Sequence, residues 1–126
     1  MYELTVEAEF SAAHQILGYP GPCARLHGHN YRVVATVRGE HLDELGLLVD
    51  FGVLRQLLAG LTAELDHRCL NELPPLQGRN PTSELLAHYF YHALERRLRD
   101  EVPADLSVAA VTVYESARSA ATYRQP

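Results

Sequence analysis

The chain predicts an α+β fold, an antiparallel four-stranded sheet with two helices on one face, in the order β-β-α-α-β-β. Three observations carry this. Two N-terminal segments alternate apolar and polar residues with period two, as half-buried strands do. Two central segments repeat apolar residues at helical spacing between start and stop signals. The C-terminal segment returns to period two. No repeat, low-complexity tract or linker divides the sequence, so one domain is expected over residues 1–126.

In the first strand Tyr2, Leu4, Val6, Ala8 and Phe10 share one face, and Glu3, Thr5, Glu7 and Glu9 the other. His14 keeps the parity of the apolar face. Gly18, Pro20, Gly21 and Pro22 mark a loop. Alternation resumes at His27, with His29, Tyr31, Val33, Ala35 and Val37 on one face and Asn30, Arg32, Thr36 and Arg38 on the other. Asp50 is a good N-cap for a helix whose apolar face is Phe51, Leu54, Leu57, Leu58, Leu61 and Leu65, ending near Asp66-His67. Pro74 and Pro75 fall in the next loop. Asn80-Pro81-Thr82-Ser83-Glu84 starts a second helix, buried through Leu85, Leu86, Tyr89, Phe90, Ala93, Leu94 and Leu98. Pro103 closes that region. Ala109, Val111, Val113 and Glu115 form one face of a third long strand, and a short strand follows around Ala121 to Arg124. Association through sheet edges would help close such a sheet.

Hydrophobic residues are 47% and charged residues 21%, a globular balance. Eleven Lys+Arg against sixteen Asp+Glu give −5, which argues against a nucleic-acid partner. No apolar run approaches the roughly 20 residues of a membrane span. Met1-Tyr2-Glu3 carries no basic leader, so a cytoplasmic location is expected. All the basic residues are arginine, which excludes a lysine Schiff base and a P-loop lysine. Cys23 and Cys69 make no disulfide framework and are expected as free thiols.

Histidine is the chemical signal, with seven in the chain. His27 and His29, two apart on a strand, project to one side. His14 on the neighbouring strand has the matching parity. Three imidazoles suit three corners of a zinc tetrahedron, with the fourth left for water or substrate. Without a shared ion they are ordinary strand histidines. His41 reads as a surface residue. His88 and His92 stand i,i+4 on the second helix, a metal-compatible spacing or simply a polar helix edge.

Cys23, in the Gly/Pro loop, is a base or nucleophile if a cation sits nearby, a fourth ligand closing the site, or a space-filling cysteine. Asp66 can orient His67 for proton transfer, provided the helix end is irregular; otherwise His67 serves the helix dipole. Glu115 falls on the inward face after Val111 and Val113. It either bends to solvent or pairs with an amidine-like ligand edge, such as that of guanine or a pterin.

Phe10-Ser-Ala-Ala-His14, Cys23-Ala-Arg-Leu-His27-Gly-His29, Leu48-Val-Asp50-Phe51, Leu65-Asp-His67, Asn80-Pro-Thr-Ser-Glu84 and Glu115 occur in this order. Together they resemble the 6-pyruvoyltetrahydropterin synthase and 6-carboxytetrahydropterin synthase family over nearly the whole chain. The resemblance implies the tunnelling fold, with sheets joined into a barrel by oligomerisation, commonly a homo-hexamer of two trimers with sites at subunit interfaces. It implies Zn2+ on His14, His27 and His29, Cys23 as proton acceptor, Asp66 and His67 in the proton relay, and Glu115 as pterin anchor and relay member. Thr82 and Ser83 would border the pterin pocket. The implied substrate is a small molecule, 7,8-dihydroneopterin triphosphate, with no nucleic acid or membrane involved. The short Cys-x-x-x-His-Gly-His spacing resembles the bacterial carboxy type of queuosine (7-deazaguanine) biosynthesis. No acid occurs between Glu9 and Glu40, unlike a folate-linked branch with a loop glutamate. Arg25 and Arg118 are candidate triphosphate contacts.

Overall fold

The alternating segments pair as their parity requires. A computed structural model describes all 126 residues. Strands β1 (Tyr2–His14) and β2 (His27–Gly39) run antiparallel in unbroken register, from Tyr2 opposite Gly39 to His14 opposite His27. Helix α1 (Phe51–Ala63), strand β3 (Arg68–Cys69), helix α2 (Ser83–Glu101) and strands β4 (Ser107–Ser116) and β5 (Ser119–Tyr123) follow. The α+β class is as expected.

The sheet has five strands, not four, in the order β3-β1-β2-β4-β5. The addition is β3, two residues lying parallel to Ala12 and Ala13 of β1. Two residues are too few to show a period, so alternation could not announce it. β3 covers only that end of β1, and the rest of the edge has no neighbouring strand.

Both helices cover the inward face. Tyr31, Val33, Ala35 and Val37 from β2 are fully buried in a core of 26 residues, with Leu54, Leu58 and Leu61 from α1 and Leu86, Phe90 and Leu94 from α2. Phe10 stacks on Tyr31 at 4.8 Å between ring centres, with Phe90 beside it at 5.7 Å from Phe10. Truncating Phe90 to alanine would cost about 3–5 kcal/mol. Asp50 caps α1 through Gly52 N (2.6 Å), and Thr82 caps α2 through Leu85 N (3.2 Å). No helix is long and apolar enough to cross a membrane.

Three local expectations change. Helix α1 ends at Ala63, and turns carry the chain to His67. Phe51, the first residue of the helix, is about half exposed instead of joining the buried face. Ala109 is not an inward-facing strand residue like Val111: Val37 pairs with Val108 and Thr36 with Ala110, so Ala109 is the extra residue of a bulge and Val108 is buried instead. A second irregularity leaves Glu115 unpaired between Tyr114 opposite Ala120 and Ser116 opposite Ser119.

Candidate active site

Strand pairing assembles the histidines. His14 and His27 are direct cross-strand partners, and His29 is two residues further on the same face. Ring centres lie 4.6, 4.9 and 5.1 Å apart, and one donor atom from each ring lies within 4.8 Å of the others. His14 Nδ1 donates to the Pro81 carbonyl at 2.8 Å, and His27 Nδ1 donates to the Arg25 carbonyl at 2.7 Å. A carbonyl only accepts, so both protons reside on Nδ1 and both Nε2 atoms carry lone pairs. Those Nε2 atoms face each other at 3.0 Å. Two lone pairs so close repel unless a cation or proton lies between them. Tetrahedral zinc, at about 2.0–2.1 Å from each nitrogen, sets its ligands about 3.3 Å apart. His29 Nε2 is buried without a hydrogen-bond partner. The three side chains therefore fit a zinc ion.

Burial holds the His14 imidazole below its usual range despite the Pro81 carbonyl, and His27 and His29 push it the same way. That favours the neutral, ligating ring. The buried Tyr31 hydroxyl lies 3.2 Å from His14 Nδ1, and burial, with the Glu115 carboxylate adding to it, raises its pKa, so it remains a neutral phenol.

The triad opens into a cavity of about 310 Å³ that Cys23, Thr82, Ser83 and Glu115 also line. Cys23 is exposed, in a single 3₁₀ turn (Pro22–Ala24), and stands outside the three-histidine donor set. Glu115 Oε2 accepts from Ser83 Oγ at 3.3 Å and lies 3.7 Å from His29 Nε2. Its side chain is 35% exposed, so the carboxylate borders the cavity and remains open to a ligand. The bulge at Glu115 re-aims this side chain at the end of the sheet.

Asp66 and His67 form a second group. His67 adopts φ +58°, and this left-handed turn lets adjacent side chains meet, His67 Nδ1 lying 2.9 Å from Asp66 Oδ2. Asp66 Oδ1 accepts from Ser11 N at 2.8 Å, and His67 N donates to the Ser11 carbonyl at 2.6 Å. The Ser11 amide, then the His67 side chain, hold the Asp66 carboxyl below its ordinary range. His67 is 81% exposed and lines a different, shallow cavity of about 490 Å³ with Ser11, Ala13 and Asn30, a cavity that His29 of the triad also borders. Within one chain Cys23 and the dyad do not share a cavity.

Sequence reasoning missed Tyr31 as a partner of His14, although its parity with His29 was available. The carbonyls of Pro81 and Arg25 left no sequence signal. Arg25 meets the site through its backbone, and Arg118 is exposed in the β4–β5 turn. Neither guanidinium lines the triad's cavity.

Residues 3–126 match the family described as 6-pyruvoyl tetrahydropterin synthase. A 6-carboxy-5,6,7,8-tetrahydropterin synthase of Synechocystis sp. is 37% identical, with 100% of this chain and 95% of the relative covered. One of Bacillus subtilis is 35% identical over 98% of this chain and 85% of the relative. The structure of Caenorhabditis elegans 6-pyruvoyl tetrahydropterin synthase superposes with a TM-score of 0.81 at 26% identity, covering 100% of this chain and 98% of that one. With the family's fold and a match over nearly every residue, the chain belongs to the 6-pyruvoyl tetrahydropterin synthase family.

Proposed function

We propose that this chain is a zinc-dependent carbon-carbon lyase converting 7,8-dihydroneopterin triphosphate and one water to 6-carboxy-5,6,7,8-tetrahydropterin, acetaldehyde and triphosphate, in queuosine (7-deazaguanine) biosynthesis. The supporting observation is the convergence of three imidazole donors on a cavity shared with Cys23 and Glu115. The carboxy-type relatives point to the product.

His14, His27 and His29 would hold the zinc. When bound, zinc supplies Lewis acidity that polarises the hydroxyls of the substrate side chain. Cys23 accepts a proton from the adjacent C–H. Glu115 accepts two N–H donors from the pterin edge and orients the ring for that transfer, with Thr82 and Ser83 bordering it. Asp66 keeps the proton-bearing nitrogen of His67 directed, and His67 returns or shuttles protons.

The separation of Cys23 from the dyad supports a site completed between copies of the chain. The free edge of β1 and the terminal strand β5 are the edges through which copies would join their sheets into a barrel. We assign the assembly as a homo-hexamer, a dimer of trimers, of single-domain chains in the cytoplasm.

A second reading has support from the C. elegans neighbour, namely the 6-pyruvoyl product from the same substrate, formed by eliminating triphosphate with all side-chain carbons retained. A third, a non-catalytic structural zinc site closed by Cys23, is disfavoured by the thiol's position outside the donor set. Incubating zinc-loaded protein with 7,8-dihydroneopterin triphosphate and weighing the pterin product separates them. The carboxy mass and acetaldehyde are expected; the pyruvoyl mass supports the second reading, and unchanged substrate contradicts catalysis.

A further inference from the structure

Helix α2 carries two imidazoles that the proposed chemistry does not use. His88 and His92 are one helical turn apart and line no part of the triad's cavity. Their ring centres are 4.4 Å apart, closer than any pair in the triad, where the separations are 4.6, 4.9 and 5.1 Å. Both side chains are partly exposed. Neither ring buries an unpartnered nitrogen, the one such side-chain nitrogen being His29 Nε2. Tyr123 of β5 packs against both rings, at 4.7 Å from His88 and 5.6 Å from His92, and fixes them from one side.

We propose that His88 and His92 form a second metal site, a two-imidazole clip for a late first-row divalent cation, with copper(II) bound most tightly. Two imidazoles four residues apart on a helix can chelate one ion, and the helix limits how far they separate. Two nitrogens, with the remaining positions taken by water oxygens, match the tetragonal nitrogen and oxygen preference of copper(II), which also heads the affinity order for such ligands. The clip differs from the triad in having no third protein donor, so its ion is exchangeable. Because Tyr123 leans on both rings, an ion there also braces β5 against α2.

Copper(II) titrated at neutral pH into the full chain tests this, with wild type compared against His88→Gln and His92→Gln. Each variant is expected to lose one copper equivalent per chain, or to bind it more than about 100-fold more weakly, beyond the loss an outer partner's removal usually causes. Taking the difference from wild type isolates the clip whether or not the triad is loaded. Turnover without added copper should be unchanged. In wild type with the triad already zinc-loaded, copper should raise the melting temperature and broaden the ring resonances of His88 and His92, a readout that needs no variant. Equal copper affinity and stoichiometry in all three proteins, or no broadening of those two rings, overturns the proposal.

Discussion

The inner and outer faces of one sheet carry different halves of the proposed chemistry. On the inner face His14 is 2% exposed, its Nδ1 held by the Pro81 carbonyl. At the β3 edge, His67 is 81% exposed and held by Asp66 alone through its side chain. The first group is preorganised by burial and can hold a cation. The second is hydrogen-bonded but unroofed, and its cavity is not the one Cys23 lines. One sheet thus brings three imidazoles together within a single chain while leaving the Asp66–His67 pair beside a cavity that Cys23 does not line.

The largest expected effect removes the inner group. His27→Ala or His29→Ala should abolish zinc binding and turnover, measured by elemental analysis and product formation. Chelation should do the same while leaving far-ultraviolet circular dichroism native-like, since none of the three ligands belongs to the 26-residue core. Unfolding on chelation would instead indicate a structural zinc. Next come the proton-transfer groups. Cys23→Ala and His67→Ala should each lower turnover by about 10²- to 10⁴-fold with zinc retained. Unchanged turnover removes that residue from the mechanism. Glu115→Ala should mainly weaken pterin binding, by about 1.5–3 kcal/mol in calorimetry. Unaltered affinity would refute the anchor.

The smallest effect sharpens the contrast through pH. Asp66 has its folded-state pKa lowered by the Ser11 amide and His67. Such a carboxylate contributes stability that is fully present above its unfolded value of about 3.9 and is lost as pH falls through the lower folded value. Asp66→Asn should therefore destabilise the chain slightly at neutral pH. The gap from wild type should close on acidification, in urea unfolding at a series of pH values. A gap that widens below pH about 4 would contradict the assignment.

The triad was legible because it needs only strand parity and one hairpin, and β1 and β2 pair without a register shift. Glu115 was legible for a partly mistaken reason. Ala109 belongs to a bulge, but Val111, Val113 and Glu115 follow it, so their shared parity survived. The Asp66–His67 contact was open to either reading, because it depends on φ +58° at a histidine, which composition does not announce. β3 was hidden by its length. The carbonyls that fix the imidazoles belong to backbone, and backbone acceptors are the same at every position. That His67 and Cys23 line different cavities follows from the three-dimensional path of the chain, on which alternation is silent.

Co-assembling Cys23→Ala with His67→Ala tests the division of labour directly. Each variant alone is expected to be inactive. A one-to-one mixed assembly should recover about a quarter of wild-type turnover, because one site in four then pairs an intact Cys23 with an intact dyad from another copy. A mixed assembly as inactive as its parents would show that both groups must come from the same chain, and would contradict a site shared between copies.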